Sequence, residues 1–218
     1  MSLTPGKEDN INLIKNLTPV RFSDNTRGKS CMQDPNVQTC RDRLDDIISQ
    51  QKSNFSKWQL AQKRGFAICT SIESIKTRAL ESRESSRNLK ENEETLYPRD
   101  LKQHIEKLNI ILTIFEDITK HAEELLRQLI KLSKLVGNTD KVFYQSWALS
   151  QYINFFDQIY SSYNKENQIK QRVACELPHC MNRSDLIRCT TAWEYPQYID
   201  EWTFLMFAFL EEENKNKT

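Results

Sequence analysis

Residues 44–79 read LDDIISQQKSNFSKWQLAQKRGFAICTSIESIKTRA. Apolar or small residues return through this stretch in steps of four and three: Leu44, Ile48, Phe55, Trp58, Ala61, Gly65, Ile68, Ile72, Ile75 and Ala79, with Gln51 holding the one polar place in the series. Such spacing collects every one of these side chains on a single stripe of one long α-helix, because the helix repeats every 3.6 residues. At 1.5 Å per residue the stripe is on the order of 54 Å long. Gly65 inside it costs about 1 kcal/mol relative to alanine, so the position calls for a packing reason, such as close approach of a partner helix.

The same pattern recurs downstream. Tyr97-Pro98-Arg99-Asp100 starts a helix, with proline tolerated in its first turn and Asp100 placed at the positive end of the helix dipole. The stripe Leu101, Ile105, Leu108, Leu112, Phe115, Ile118, Ala122, Leu125, Leu129, Leu132, Val136 follows and ends at Gly137-Asn138, a glycine stop. Two consecutive steps of three, Leu112 to Phe115 to Ile118, interrupt the heptad and predict local overwinding. A third stripe runs Leu149, Ile153, Phe156, Tyr160, Tyr163, Asn167, Lys170, Val173, Leu177 and stops at Pro178. Asn182 to Asp185 offers capping side chains for a short helix ending near Trp193, and Pro196 opens a last helix with Tyr198, Ile199, Trp202, Leu205, Met206, Phe209 and Leu210. Three of the four tryptophans, Trp147, Trp193 and Trp202, lie in this C-terminal part, which has the bulk to form a compact core; Trp193 and Trp202 are expected there.

The expected fold is therefore all-α: long antiparallel coiled-coil helices with a C-terminal aromatic-rich helical bundle. The predicted organisation is a disordered tail over 1–39, a first long helix over 40–82, a polar connector over 83–96, a second helix over 97–137, a C-terminal helical region over 142–212 and a disordered end over 213–218. The tail assignment rests on Pro5, Gly6, Pro19, Gly28 and Pro35 among many polar residues with little apolar periodicity.

Composition narrows the function. Hydrophobic residues are 38% and charged residues 28%, which favours narrow helical stripes over a thick core, and four glycines leave little material for phosphate-binding loops. A formal net charge of +1 supplies no field that would draw the chain to nucleic acid or an anionic membrane. No phosphate-loop, dinucleotide, zinc-protease or serine-hydrolase motif is present in the sequence. The beginning of the chain shows no apolar run behind a basic start, so the expectation is an intracellular protein with reduced thiols. His104, His121 and His179 are scattered, and the first two are expected to face solvent. Cys175, His179, Cys180 and Cys189 are zinc-compatible residue types, but their spacing lacks paired C-x2-C steps and favours packed or surface thiols. Neither a metal nor a cofactor is expected.

With chemistry of that kind unsupported, the stripes themselves become the candidate working parts. A seam formed by the first two helices would present Trp58, Gly65, Phe66, Leu125 and Leu129 to a partner coiled coil, Trp58 as an anchor on a thin stripe. Lys165, Glu166, Lys170, Arg172 and Glu176 form a charged face on the third helix, where Lys170 and Arg172 are candidate partner contacts that folding does not require. In the tail, Thr4-Pro5-Gly6-Lys7 and Thr18-Pro19-Val20-Arg21 match the threonine-proline-x-basic pattern of cyclin-dependent kinase substrates, which makes Thr4 and Thr18 candidate phosphorylation sites. The alternative is a structural homodimer in which the same seams pair with themselves.

The block from Val142-Phe143 to Trp147, with Tyr163-Asn-Lys-Glu166, Lys170-Gln-Arg-Val-Ala-Cys-Glu-Leu-Pro-His179, Asp185-Leu186, Trp193 and Tyr198-Ile199, resembles the cyclin-dependent kinase 2-interacting protein family. Lys57-Trp58, Gly65-Phe66, Ile72 and Lys76 look like that family's first helix, so the likeness brackets about residues 50–212. Pro178 and the extra cysteines nearby depart from the family pattern. The resemblance implies a nuclear, non-catalytic adaptor linked to DNA replication, the DNA damage checkpoint and, through a complex with AAA-type ATPases, maturation of the large ribosomal subunit. The partners it implies are proteins: a cyclin-dependent kinase with its cyclin, a coiled-coil checkpoint subunit, and a coiled-coil partner within the ATPase assembly, with no direct nucleic acid and no membrane.

Overall fold

The computed structural model describes residues 35–85 and 97–215. The described residues are all-α, with five helices: α1 (Pro35–Ser85), α2 (Arg99–Val136), α3 (Leu149–Glu176), α4 (Arg183–Glu194) and α5 (Glu201–Lys215). A 3-10 turn, Leu177–His179, joins α3 to α4, and Val142 and Ala148 form a single antiparallel bridge in the loop before α3.

The helix ends follow local chemistry. Gly137 terminates α2 at φ 71°, a left-handed conformation that avoids a Cβ clash only for glycine, and its N–H donates to Ser133 O at 3.1 Å. The Ala148 N–H at the start of α3 donates to Gln151 Oε1 at 2.7 Å, the backward half of a capping box. Pro178 is accommodated in the 3-10 turn, where α3 has already ended. Asn182 caps α4 by accepting from the Asp185 N–H at 2.8 Å. The last helix begins at Glu201 rather than at Pro196, because Asp200 Oδ1 accepts from the Thr203 N–H at 3.1 Å and its hydroxyl at 3.2 Å.

α2 packs between α1 and α3, and α4 lies against α1 and α3. α1 meets α2 at Gln50 with His121 and Asn54 with Ile118, and meets the residue just ahead of that helix through Lys76 with Tyr97: Gln50 Oε1 is 3.3 Å from His121 Nε2, Asn54 Nδ2 donates to Ile118 O at 2.9 Å, and the Lys76 ammonium lies 4.8 Å from the Tyr97 ring centre. The core holds nearly every member of the first stripe from Leu44 to Ala79 and carries it on through Leu108, Phe115 and Leu125 on α2 and Tyr152, Phe156 and Tyr163 on α3. α1 serves as the shared wall, meeting α2 through Asn54, α3 through a Trp58–Tyr163 ring pair at 6.3 Å, α4 at Gly65 and α5 through Phe55.

Two local expectations change. In α2 the core position is Ile111, 5% exposed, while Leu112 is only partly buried. Leu108, Ile111, Phe115, Ile118, Ala122, Leu125, Leu129 and Leu132 then alternate three and four without interruption, so the break expected at Leu112 disappears. Downstream, the helix continues through residues 213–215, where an unanchored end was expected. Glu213 is buried and holds that end in place.

Candidate functional site

Most of the residues expected to meet a partner are inside this fold. Trp58, Leu125 and Leu129 are buried in the core, Phe66 packs partly buried against it, and Gly65 is covered by the Trp193 indole of α4. The correction has a simple cause: the seam of α1 and α2 is filled by the chain's own α3, α4 and α5, so these side chains are not available to a partner. Gly65 does answer to a close approach, but from a ring rather than from a partner helix. An alanine Cβ built there would lie 2.2 Å from Trp193 Cζ2.

Lys170 is likewise not on a solvated face. It is fully buried, 3.0 Å from Glu166 Oε1, donates to Trp193 O at 2.7 Å and lies 5.2 Å from the Trp193 ring centre. Burial pulls its ammonium below the ordinary lysine value, with the Glu166 carboxylate opposing. Charge reversal at Lys170 would therefore strand Glu166 in the core. Arg172, two residues on, is exposed and lines an open groove between α3 and α4 with Arg188.

The zinc-compatible residues are not brought together as a set. Cys175 is exposed, and His179 Nδ1 lies 3.1 Å from the Tyr97 hydroxyl. Cys180 and Cys189 are buried side by side with sulfurs 3.9 Å apart. Among the described residues no group of three or more His, Cys, Asp or Glu side chains is arranged to hold a metal. Of the other histidines, His104 and His121 are partly buried rather than solvent-facing. Burial lowers the His121 pKa, with Lys57 adding to the effect. Thr4 and Thr18 lie outside the described residues. No helix among the described residues is long and apolar enough to cross a membrane.

Among the described residues, α5 carries a row of large apolar side chains that the other helices leave half-exposed. Thr203, Phe207, Leu210 and Glu213 turn inward: Phe207 stacks on Phe55 with ring centres 3.9 Å apart and meets Phe155 edge-on at 5.3 Å. Trp202, Leu205 and Phe209, spaced by three and four, form a second stripe roughly a third of a turn round the helix from the first, 45%, 51% and 50% exposed. Phe204, 44% exposed, leans edge-on against Phe55 at the margin. Trp202 is thus a surface residue and Trp193 the core one, although the sequence treats them alike. The spacing of two interleaved stripes, 203/207/210 and 202/205/209, was the available signal; the apolar density of the segment hid it.

α5 is pinned at both ends. At the leading end Glu166 Oε2 accepts the Gln197 and Tyr198 N–H groups at 3.0 and 3.1 Å, and the Lys165 ammonium sits 5.2 Å from the Tyr198 ring centre. At the trailing end the Glu213 carboxylate accepts the N–H groups of Gln145, Ser146 and Trp147 at 2.7–2.9 Å and the Ser146 hydroxyl at 2.8 Å. Burial pushes the Glu213 pKa up, but these donors outweigh it and hold the carboxyl below the ordinary glutamate value. The outer stripe is consequently presented on a helix whose position is set before any partner arrives. No model of a protein family matches the chain, and no curated protein matches it in sequence.

Proposed function

We propose that this chain is a non-catalytic nuclear adaptor, similar to the cyclin-dependent kinase 2-interacting protein family, that links a cyclin-dependent kinase with its cyclin, a coiled-coil checkpoint subunit and an AAA-type ATPase assembly. On this reading α1 and α2 are an antiparallel coiled-coil pair, the aromatic C-terminal helices complete a bundle around it, and α5 carries the partner surface in place of the α1–α2 seam. The observation that carries the proposal is the Trp202–Leu205–Phe209 stripe. Large apolar side chains held half-exposed in a row on a pinned helix lose contact enthalpy and order water unless something covers them, and tryptophan and phenylalanine are favoured anchors of protein interfaces. Thr4 and Thr18 would tune partner choice by adding phosphate charge to the tail.

The test is sedimentation of the purified chain with a cyclin-bound cyclin-dependent kinase and, separately, with the AAA-type ATPase assembly. A co-migrating complex that is lost in Leu205→Asp is the expected result. Absence of any complex with both partners overturns the reading.

A further inference from the structure

We infer that Cys180 and Cys189 are a reversible disulfide pair, a modification site at which oxidation ties α4 to the turn that follows α3. Their sulfurs lie 3.9 Å apart, and both side chains are buried. Cys180 stands just past the 3-10 turn, where its S–H donates to Glu176 O at 3.4 Å; Cys189 is in the second turn of α4, on the buried face with Leu186 and Trp193. A bond of about 2.05 Å brings the two sulfurs closer by about 2 Å. Residues 180–182 are not helical, so that adjustment falls on the link and on the cysteine side chains, and neither helix has to bend. The bond closes a ring over residues 180–189 that includes the Asn182 cap and the first turns of α4. Trp193, one turn beyond Cys189, covers Gly65 of α1, and its carbonyl accepts from Lys170 and Gln62. In the reduced chain α4 keeps its place by packing and hydrogen bonds. In the oxidised chain it cannot peel away from its N-terminal end, and Trp193 stays in the core with it.

The pair has a route to solvent. Cys189 lines the open groove between α3 and α4 with Arg172, Glu176 and Arg188, so a molecule as small as hydrogen peroxide meets its sulfur without crossing the core. With peroxide as oxidant, the Cys189 thiolate attacks one peroxide oxygen and the O–O bond breaks. The departing hydroxide takes up the proton the thiol released, leaving a sulfenic acid and one water. The Cys180 thiolate then attacks the Cys189 sulfur: the S–S bond forms, the S–O bond breaks, and the second hydroxide leaves as water with the Cys180 proton. Two thiols are oxidised to one disulfide, and one peroxide is reduced to two waters. Two molecules of glutathione reverse the change through a mixed disulfide and leave as glutathione disulfide. Burial pushes the Cys189 thiol up to about 12, with Arg188 opposing, so its thiolate is scarce. Closure is therefore slow, and it follows sustained peroxide rather than a brief pulse.

The experiment incubates the full chain with hydrogen peroxide, blocks the remaining thiols with iodoacetamide in urea, and maps tryptic peptides without reduction. Cleavage after Arg172, Arg183 and Arg188 separates residues 173–183 from the peptide that begins at Cys189, so the disulfide joins these two peptides in one species. Cys175 shares the first peptide with Cys180, and Cys175→Ser is therefore mapped beside the parent. The linked species should form in the monomeric chain of both proteins and return to free thiols with glutathione. Oxidation should slow amide exchange at residues 186–193 about tenfold or more, and Cys180→Ser or Cys189→Ser should abolish both the link and the slowing. The parent map decides the pairing by itself, so a serine variant that fails to fold leaves the test intact. Cys180 and Cys189 both alkylated in full while Cys175 is oxidised overturns the inference. So does a link that is lost in Cys175→Ser, one that forms only when the peroxide step is run in urea, or a linked chain whose α4 exchange is unchanged.

Discussion

Gly65→Ala sets two effects of opposite sign against each other, so the direction of the change is itself informative. Helix propensity alone predicts a gain of about 1 kcal/mol, since Gly65 lies in the interior of α1. Packing predicts the reverse. The new Cβ would stand 2.2, 2.6 and 2.9 Å from three atoms of the Trp193 ring, whereas carbon atoms rest at about 3.5–4.0 Å, so the ring must retreat by more than about 1 Å. It has little freedom to do so. The indole N–H donates to Gln62 O at 3.2 Å, the Trp193 carbonyl accepts from Lys170 Nζ and from Gln62 Nε2, and the ring lies edge-on to Phe115 at 6.0 Å. Overpacking costs about 1–3 kcal/mol and a locked ring puts this site at the upper end, about 3 kcal/mol, so after the gain of about 1 kcal/mol the net expectation is a loss of about 2 kcal/mol. For a domain of this size that lowers the melting temperature by about 4–8 °C. Urea unfolding followed by circular dichroism measures it, and the double variant Gly65→Ala with Trp193→Phe should be less destabilised than the sum of the two single changes. A Gly65→Ala protein more stable than the parent would refute the argument.

Glu166→Gln or Lys170→Met, each made alone, should destabilise by about 3–5 kcal/mol because a buried charge loses its partner, and urea midpoints should show it; Arg172→Glu, at an exposed site, should leave the midpoint within about 0.5 kcal/mol. Glu213 has a folded pKa below its ordinary value of 4.5, so its contribution is complete above about pH 4.5 and disappears as pH falls through the lower folded value. Glu213→Gln should flatten that acid limb and speed amide exchange at residues 145–147; unchanged exchange there would show that the carboxylate does not anchor α5. Among the described cysteines, exposed Cys175 should be alkylated first, while burial pushes the thiols of Cys69 and Cys189 up to about 12 and should make them the slowest. Peptide mapping after a timed iodoacetamide pulse gives the order.

Periodicity, a local property, made the helices legible. The stripes of α1, α2 and α3 could be read because a buried helix face must repeat every 3.6 residues wherever its covering comes from, and Gly137 and Asn182 could be read because helix ends are satisfied by neighbours in sequence. The choice between Ile111 and Leu112 was beyond that reading, since either keeps a plausible stripe and the facing helix decides which one is enclosed. The same holds for the polar core. Lys170 looks like part of a charged helical face until its partners are known, and those are the Trp193 carbonyl 23 residues away and a Glu166 that is itself engaged by the Gln197 and Tyr198 N–H groups. A stripe records that a face will be covered but not by what, so Trp58 on a thin stripe became core and Trp202 in a dense one became surface. Tertiary packing made that assignment by filling the α1–α2 seam from within the chain. Covering one side of α5 with Phe55 and Phe155 left a second stripe, Trp202, Leu205 and Phe209, half-exposed among the described residues.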